Sequence, residues 1–270
     1  MVAEIISVGT ELLLGMVANT NAQYLAGRLA ELGFDLCCQT VVGDDAGQIR
    51  TRLEDAYKNG AELVILAGVV GPGKDDRTKE MLASYFGRQP EFDAKAFEQI
   101  EKRLRALGVK DLTEEHRRQA VIPADSMVLT NEFGTEPGFV LEQDGRIAVV
   151  LPGQPKELQD MFEQCVNRYL HNLVDRSLVT VIVHLKTAQE APAERVSETA
   201  VTARLGELLQ LENPHVEVSA QEGNVLIRIT AAAPTRGDAS LMSNIIAQNC
   251  IQVLGEDIIK EVKEEKETKK

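Results

Sequence analysis

The sequence lacks the features that mark membrane, secreted and nucleic-acid-binding chains. No apolar run approaches the roughly 18 residues a spanning helix needs. The opening "MVAEIISVG" has no basic segment ahead of a long apolar core, so it does not read as a signal peptide. Cysteine is scarce, and Cys37, Cys38, Cys165 and Cys250 show no C-x-x-C spacing. They read as reduced thiols of a cytoplasmic protein. Basic residues are outnumbered, 29 Lys and Arg against 42 Asp and Glu, for a formal charge of −13. That balance disfavours DNA or RNA, whose phosphates need a basic surface. The G-x-x-G clamp of a KH module is also missing. Neither a membrane nor a nucleic acid is an expected partner. A small anionic ligand is compatible with this charge, because a helix N-terminus, a local Lys or a metal offsets the global field.

What is present is an ordinary globular composition of 270 residues, 44% hydrophobic and 26% charged, enough for one large or two medium domains. In the first part, strand-like and helix-like segments alternate. "AEIISVG", "LCCQTVVG" and "AELVILAG" read as buried strands. Between them, Ala22, Leu25, Leu29 and Leu32 form one helical face closed by Gly33, and Ile49, Leu53, Ala56 and Tyr57 form another. Asp44 and Asp45 stand where caps for the second helix are needed. Further helices are predicted over 76–86 and 93–107, strands at "SMVLTN", "GFVLEQ" and "RIAVVLPG", and a closing helix over 155–170. Repeated β-α units force parallel strands with helices on both faces, so residues 1–175 are expected as a three-layer α/β domain. The pattern then changes to β-α-β-β-α, which predicts a small α+β domain over 176–258. A hairpin is expected around Glu222-Gly223-Asn224 and a single helix over 193–211. Residues 259–270, rich in both charges and without apolar period, read as a tail.

The stretch "LVILAGVVGPGKDDRTKEML" carries the sharpest chemical signal. Gly68-x-x-x-x-Gly73-Lys74 has P-loop spacing, but Asp75 follows where a P-loop needs Ser or Thr for magnesium. The loop also follows the third strand rather than the first, and no strand ends in a Walker B aspartate. In an open α/β sheet, ligands bind beyond the carboxyl ends of the strands. Three segments converge there: "GTELLLGMVANTN", "VGDD" and "AGVVGPGKDD". Glycines let backbone N–H groups approach a ligand, and the next helix favours negative charge. Asp75 and Asp76 fit that setting if a divalent cation bridges carboxylate and phosphate. A plainer alternative is that both aspartates cap the helix and the glycines only make a turn.

Taken together, "GTELLLGMVANTNAQYLAGRLAELGF", "VVGDD", "GPGKDDRTKEML", "RRQAVIPADSMVLTNEFGTEPGF" and "LPGQPKELQDMF" resemble the N-terminal, molybdopterin-binding-like domain of CinA-type proteins, in order and in spacing. Residues 178–257 resemble the CinA middle domain more faintly. The C-terminal nicotinamide-mononucleotide deamidase domain of that family has no counterpart here, so deamidase activity is not expected. The resemblance implies an ADP-ribose pyrophosphatase releasing AMP and ribose 5-phosphate, with Mg, Mn or Co as divalent metal, potassium as a second ion, and a homo-oligomer, dimeric rather than trimeric, as the assembly. It assigns Asp44, Asp75 and Asp76 to catalysis, with Asp44 and Asp76 on the metal. Gly9, Thr10, Glu11, Asn19, Asn21, Gly68, Gly71, Pro72, Gly73 and Lys74 would line the ligand groove. Gly134, Thr135, Pro137, Gly138, Pro152, Gly153 and Lys156 would close it.

The sequence departs from the family pattern inside that groove. The family's T-G-G-L-G-P-T-x-D-D has become "AGVVGPGKDD", so both threonines are lost, to Ala67 and Gly73, and the second glycine is Val69. A hydroxyl lost from a phosphate cradle costs about 1–3 kcal/mol when its partner goes unpaired. Val69 is expected to obstruct the loop, since a β-branched residue resists positive φ. Glu136 replaces a small residue, His116 replaces an Asn, and "KTAQEAPAE" replaces a Gly-rich segment of the second domain. Two functions fit: a working metal-dependent nucleotide pyrophosphatase, or a non-catalytic relative that binds a nucleotide-like or molybdopterin-like ligand or serves oligomerisation.

Overall fold

The computed structural model describes residues 1–70, 76–174, 176–221 and 224–264. Contacts divide the chain into two compact units, Met1–Ala30 with Phe34–Val174, and Glu31–Gly33 with Asp175–Lys270.

In the first unit the chain runs β1 (Val2–Val8), α1 (Thr10–Leu13), α2 (Thr20–Glu31), β2 (Asp35–Val42), α3 (Ala46–Lys58), β3 (Leu63–Val70) and α4 (Asp76–Tyr85). It continues through β4 (Pro90–Phe92), α5 (Ala94–Ala106), α6 (Glu114–Arg118), β5 (Val121–Pro123), β6 (Met127–Leu129), β7 (Gly138–Gln143) and β8 (Arg146–Pro152). A final helix runs as α7 (Pro155–Met161), one π-helical turn (Phe162–Val166) and α8 (Asn167–His171). The main sheet has the order β2-β1-β3-β8-β7-β6, parallel through β8 and antiparallel beyond it. Side chains alternate along each strand. Ile6, Val8, Val64 and Leu66 therefore share one face, where Ile49 and Leu53 of α3 and Leu82 of α4 join them in a single core. Ile5, Ile65 and Val149 point the other way and are equally buried. Strands buried on both faces need a helical layer on each, which is the three-layer α/β architecture expected from the sequence.

Val69 behaves differently from the expectation. The positive φ in this segment, +92°, falls on Gly68, and Val69 is not among the residues with positive φ. β3 carries a bulge here, its register with β8 slipping between Ala67 and Val70. The bulge turns Val69 into the core beside Val8, Val42 and Ile49, at 3% exposure, so its side chain is a packing element rather than an obstruction.

The second unit contains β9 (Ser177–Leu185), α9 (Ala193–Val196), α10 (Glu198–Leu205), a 3-10 turn (Gly206–Gln210), β10 (His215–Gln221), β11 (Asn224–Ala233) and α11 (Arg236–Leu254). A second 3-10 turn (Glu256–Ile258) leads into β12 (Ile259–Glu264). Its sheet is antiparallel, in the order β10-β11-β9-β12, as an α+β domain requires. The helix predicted over 193–211 is broken at Ser197, whose hydroxyl accepts from the Ala200 amide and starts a new helix. Residues 259–264, expected as part of a tail, form an edge strand on β9. Alternating Lys and Glu on such a strand protect the open edge from further pairing, which is why its composition resembles a tail. Glu222 and Gly223 of the expected turn, and residues 265–270, lie outside the described residues.

Gly68→Ala is expected to destabilise the protein by about 2–3 kcal/mol in urea unfolding, because any side chain at that φ is strained. Val69→Gly, although it restores the family's glycine, should cost a similar or larger amount through lost core packing, about 2–4 kcal/mol. A neutral result for either would contradict the bulge geometry.

Candidate functional site

In the order β2-β1-β3, the chain leaves β1 toward β2 and returns on the other side as β3. The ends of β1 and β3 therefore flank a switch point, where an open α/β sheet has its crevice. The backbones come very close there. A Cβ on Gly68 would stand 2.3 Å from the Val8 carbonyl oxygen, and one on Gly153 would stand 3.3 Å from the Gly68 Cα. Both glycines are required by strand approach, independent of any ligand.

Around this point the structure brings several of the expected residues together. Gly9 donates its amide to the Val42 carbonyl at 2.9 Å, tying the ends of β1 and β2. Thr10 follows and grips Asp44 twice: its amide reaches Oδ2 at 2.9 Å and its hydroxyl the same atom at 3.1 Å. Asp44 is thus held at an exposed sheet edge by dipoles. Its neighbour Asp45 caps α3, accepting the Gln48 amide at 2.8 Å, as its position after β2 requires. Asn19 caps α2 by accepting the Ala22 amide at 3.2 Å, and its Nδ2 donates to Ser7 Oγ on β1 at 3.0 Å. Asn21 donates to the Gly153 carbonyl at 2.7 Å, linking α2 to the end of β8. Its Oδ1 is buried, with no hydrogen-bond partner among the described residues. At the other end of α2, Tyr24 and Arg28 both bind Glu163 of the π-turn. Burial and the Glu163 carboxylate push the Tyr24 hydroxyl well above the usual tyrosine range. Glu11 lies exposed over Gly9, its carboxylate 2.7 Å from where a Gly9 Cβ would be.

Other expected residues have framework roles. A Cβ on Gly138 would collide with Met161 Sδ at 2.5 Å and the Val150 carbonyl at 2.6 Å, so this glycine serves packing rather than groove closure. Pro137 and Pro152 are buried, and Pro152 is the last residue of β8. Lys156 lies exposed at the start of α7, its ammonium 4.1 Å from the Phe133 ring centroid. His116 completes a capping box, its Nδ1 accepting the Thr113 amide at 3.1 Å. Thr135 and Gly134 are partly buried in the loop before β7. Gly71, Pro72, Gly73, Lys74 and Asp75 lie outside the described residues, as does the side chain of Asp76, whose backbone opens α4.

The sequence reading missed the residues that shape this loop. Asn131 Oδ1 accepts the amides of Phe133 at 3.1 Å and Gly134 at 2.7 Å. Its Nδ2 donates to the Glu136 carbonyl at 2.9 Å and to Glu157 at 2.8 Å. An Asn followed by Gly three residues later was the available signal. Lys79 of α4 forms a buried ion pair with Glu136 at 2.9 Å, the side chains 10% and 7% exposed. Nothing in the sequence pairs residues 57 positions apart.

Among the described residues, no three His, Cys, Asp or Glu side chains gather as a metal-ligand set. Described oxygen donors at the crevice include the Asp44 and Glu11 carboxylates and the Thr10 hydroxyl. Oxygen donors of this kind suit Mg, Mn or Co. A cavity of about 390 Å³ lies beside α4, lined by Lys79, Glu80, Arg118, Pro90, Val121, Ile122 and Pro123 and by none of the expected ligand residues. No described helix is long and apolar enough to cross a membrane.

Comparison with known proteins places this geometry in context. Residues 4–172 match the family model for a probable molybdopterin binding domain. A putative competence-damage inducible protein of Clostridium botulinum (strain 657 / Type Ba4) is 38% identical over 96% of this chain and 61% of its own length. A CinA-like protein of Kosmotoga olearia is 40% identical over 96% of this chain and 60% of its own. The chain thus spans about three fifths of these relatives. The crystal structure of CinA from Thermoplasma acidophilum, itself of unknown function, is 31% identical, with a TM-score of 0.56 over 63% of this chain and 97% of that one.

Asn19→Ala is expected to lower stability by about 1–2 kcal/mol, since it removes both the α2 cap and the tie to Ser7. Asn19→Asp keeps a capping oxygen and should recover most of that loss in thermal melts. Equal destabilisation by both variants would show that the cap contributes little.

Proposed function

The chain belongs to the family of probable molybdopterin-binding domains, in its CinA-type branch, and on that premise we propose that it is a metal-dependent nucleotide pyrophosphatase. Its substrate in this reading is ADP-ribose or a related nucleotide diphosphate, cleaved to AMP and ribose 5-phosphate. The observation that carries the proposal is the double grip of Thr10 on Asp44 at the switch point. An exposed carboxylate in an acidic protein has no reason to be oriented this way for solubility alone. The Thr10 amide and hydroxyl fix the direction of the carboxylate at the end of the sheet.

Asp44 and Asp76 would hold that cation, whose chemistry is to offset charge on the diphosphate. The amides at the start of α4 favour the anionic ligand, the helix being ten residues long. Asn21 fixes the end of β8 and keeps the crevice walls in register. In the reaction, a water oxygen forms a bond to phosphorus and the bridging P–O bond breaks. The leaving phosphate keeps the bridging oxygen, and the water's protons pass to solvent or to the products. Asp75 is the remaining acidic group assigned to this step.

A second reading, a ligand-binding protein without turnover, is favoured by a specific observation. Ala67 and Val69 of β3 stand where the family pattern has Thr and Gly. Incubation with ADP-ribose, magnesium or cobalt, and potassium separates the two readings. The first expects AMP release that is lost in Asp44→Ala and in Asp76→Ala. A thermal shift with ADP-ribose and no AMP establishes the second, and neither response rejects both.

A further inference from the structure

The buried pair Lys79–Glu136 and the cavity beside α4 share a residue. Lys79 lines the cavity, together with Arg118 and Glu80. Its ammonium lies 2.9 Å from Glu136 Oε2 and 3.4 Å from the Gln119 carbonyl. A buried ion pair contributes little net stability, because removing two charges from water offsets most of their attraction. Its presence needs another reason. The cavity supplies one: Lys79, paired with Glu136, shares its lining with a second cation, Arg118, and with Glu80. Pro90, Val121, Ile122 and Pro123 give the lining an apolar part beside these charged groups, and about 390 Å³ is within the range that holds a small organic ligand.

We infer that this cavity binds a small organic anion, a phosphate or carboxylate on an apolar body, and that Glu136 sets its affinity by occupying Lys79. Glu136 is an internal anion already seated on the Lys79 ammonium, the group a ligand's charge would seek. An entering anion competes with it for Lys79 and pairs with Arg118, whose guanidinium matches a phosphate or carboxylate by its fork of donors. Glu136 also belongs to the loop organised by Asn131, so displacement of its carboxylate is felt at the segment leading into β7. The site is independent of Asp44 and of any turnover at the crevice.

Calorimetric titration with phenyl phosphate and with inorganic phosphate tests this in the full chain. Glu136→Ala should bind phenyl phosphate more tightly than wild type, on the order of tenfold, because a buried ammonium is released to the ligand. Lys79→Ala added to Glu136→Ala should abolish the gain, and Arg118→Ala should weaken binding in either background. Phenyl phosphate should exceed inorganic phosphate, since only the former covers the apolar walls. Glu136→Gln, which keeps the shape and removes the charge, decides the matter if Glu136→Ala does not fold. Unchanged or weaker binding in a folded Glu136 variant overturns the inference, as does a gain that survives loss of Lys79. These titrations read no hydrolysis, so a failed pyrophosphatase assay leaves them unaffected, and their failure leaves that assay unaffected.

Discussion

The close approach of β3 to β1 at Gly68 governs the upper edge of the main sheet. With no side chain at that point, the Val8 carbonyl can face the β3 backbone directly, and Gly153 can come alongside from β8. The ends of β1, β3 and β8 therefore meet within a few ångströms. Everything assembled above them depends on that closeness. Thr10 can reach Asp44 because β1 and β2 end level with each other, Gly9 bonding to Val42. Asn21 can reach Gly153 because β8 is drawn in beside β3. A residue with a Cβ at position 68 would part β3 from β1 and draw Gly153 away from Asn21.

The chain carries a large excess of negative charge and handles its acids individually. Asp45 is a helix cap, Glu163 binds Tyr24 and Arg28, and Glu136 is buried against Lys79. Each has a partner that accounts for its position by ordinary structural chemistry. Asp44, exposed at the crevice, is oriented by the amide and hydroxyl of Thr10.

The architecture was legible because it is written in local periodicity. Ile5, Ile6, Val64 and Leu66 alternate between two buried faces, and Leu25 with Leu29, or Ile49 with Leu53, recur at helical spacing. Thr10, Asp44, Asn19 and Asn21 were also readable as neighbours, since the rule for open sheets places the loops after β1, β2 and β3 at one edge. What escaped the sequence is either short or non-local. The strands β4 and β5 are three residues each and pair only with one another, and α1 is a single turn. The bulge that reassigns Val69 to the core depends on where β8 lies, which no window around residue 69 contains. Gly138 resembled a ligand glycine until Met161, from the helix after β8, was found against it.

The π-turn in the closing helix has a consequence for how this chain tolerates change. A π-turn houses one residue more than the regular helix around it, and here it spans Phe162–Val166 and carries Glu163. Deleting a single residue from it would let the helix run on unbroken, which makes the lesion locally harmless. Each residue of an α-helix turns the chain by about 100°. Four residues turning by that angle sweep about the same arc as the five of the π-turn, so the following segment keeps its register and Leu170 stays in the interior. An indel at this point would therefore be absorbed where it occurred and scarcely felt at the far end of the helix.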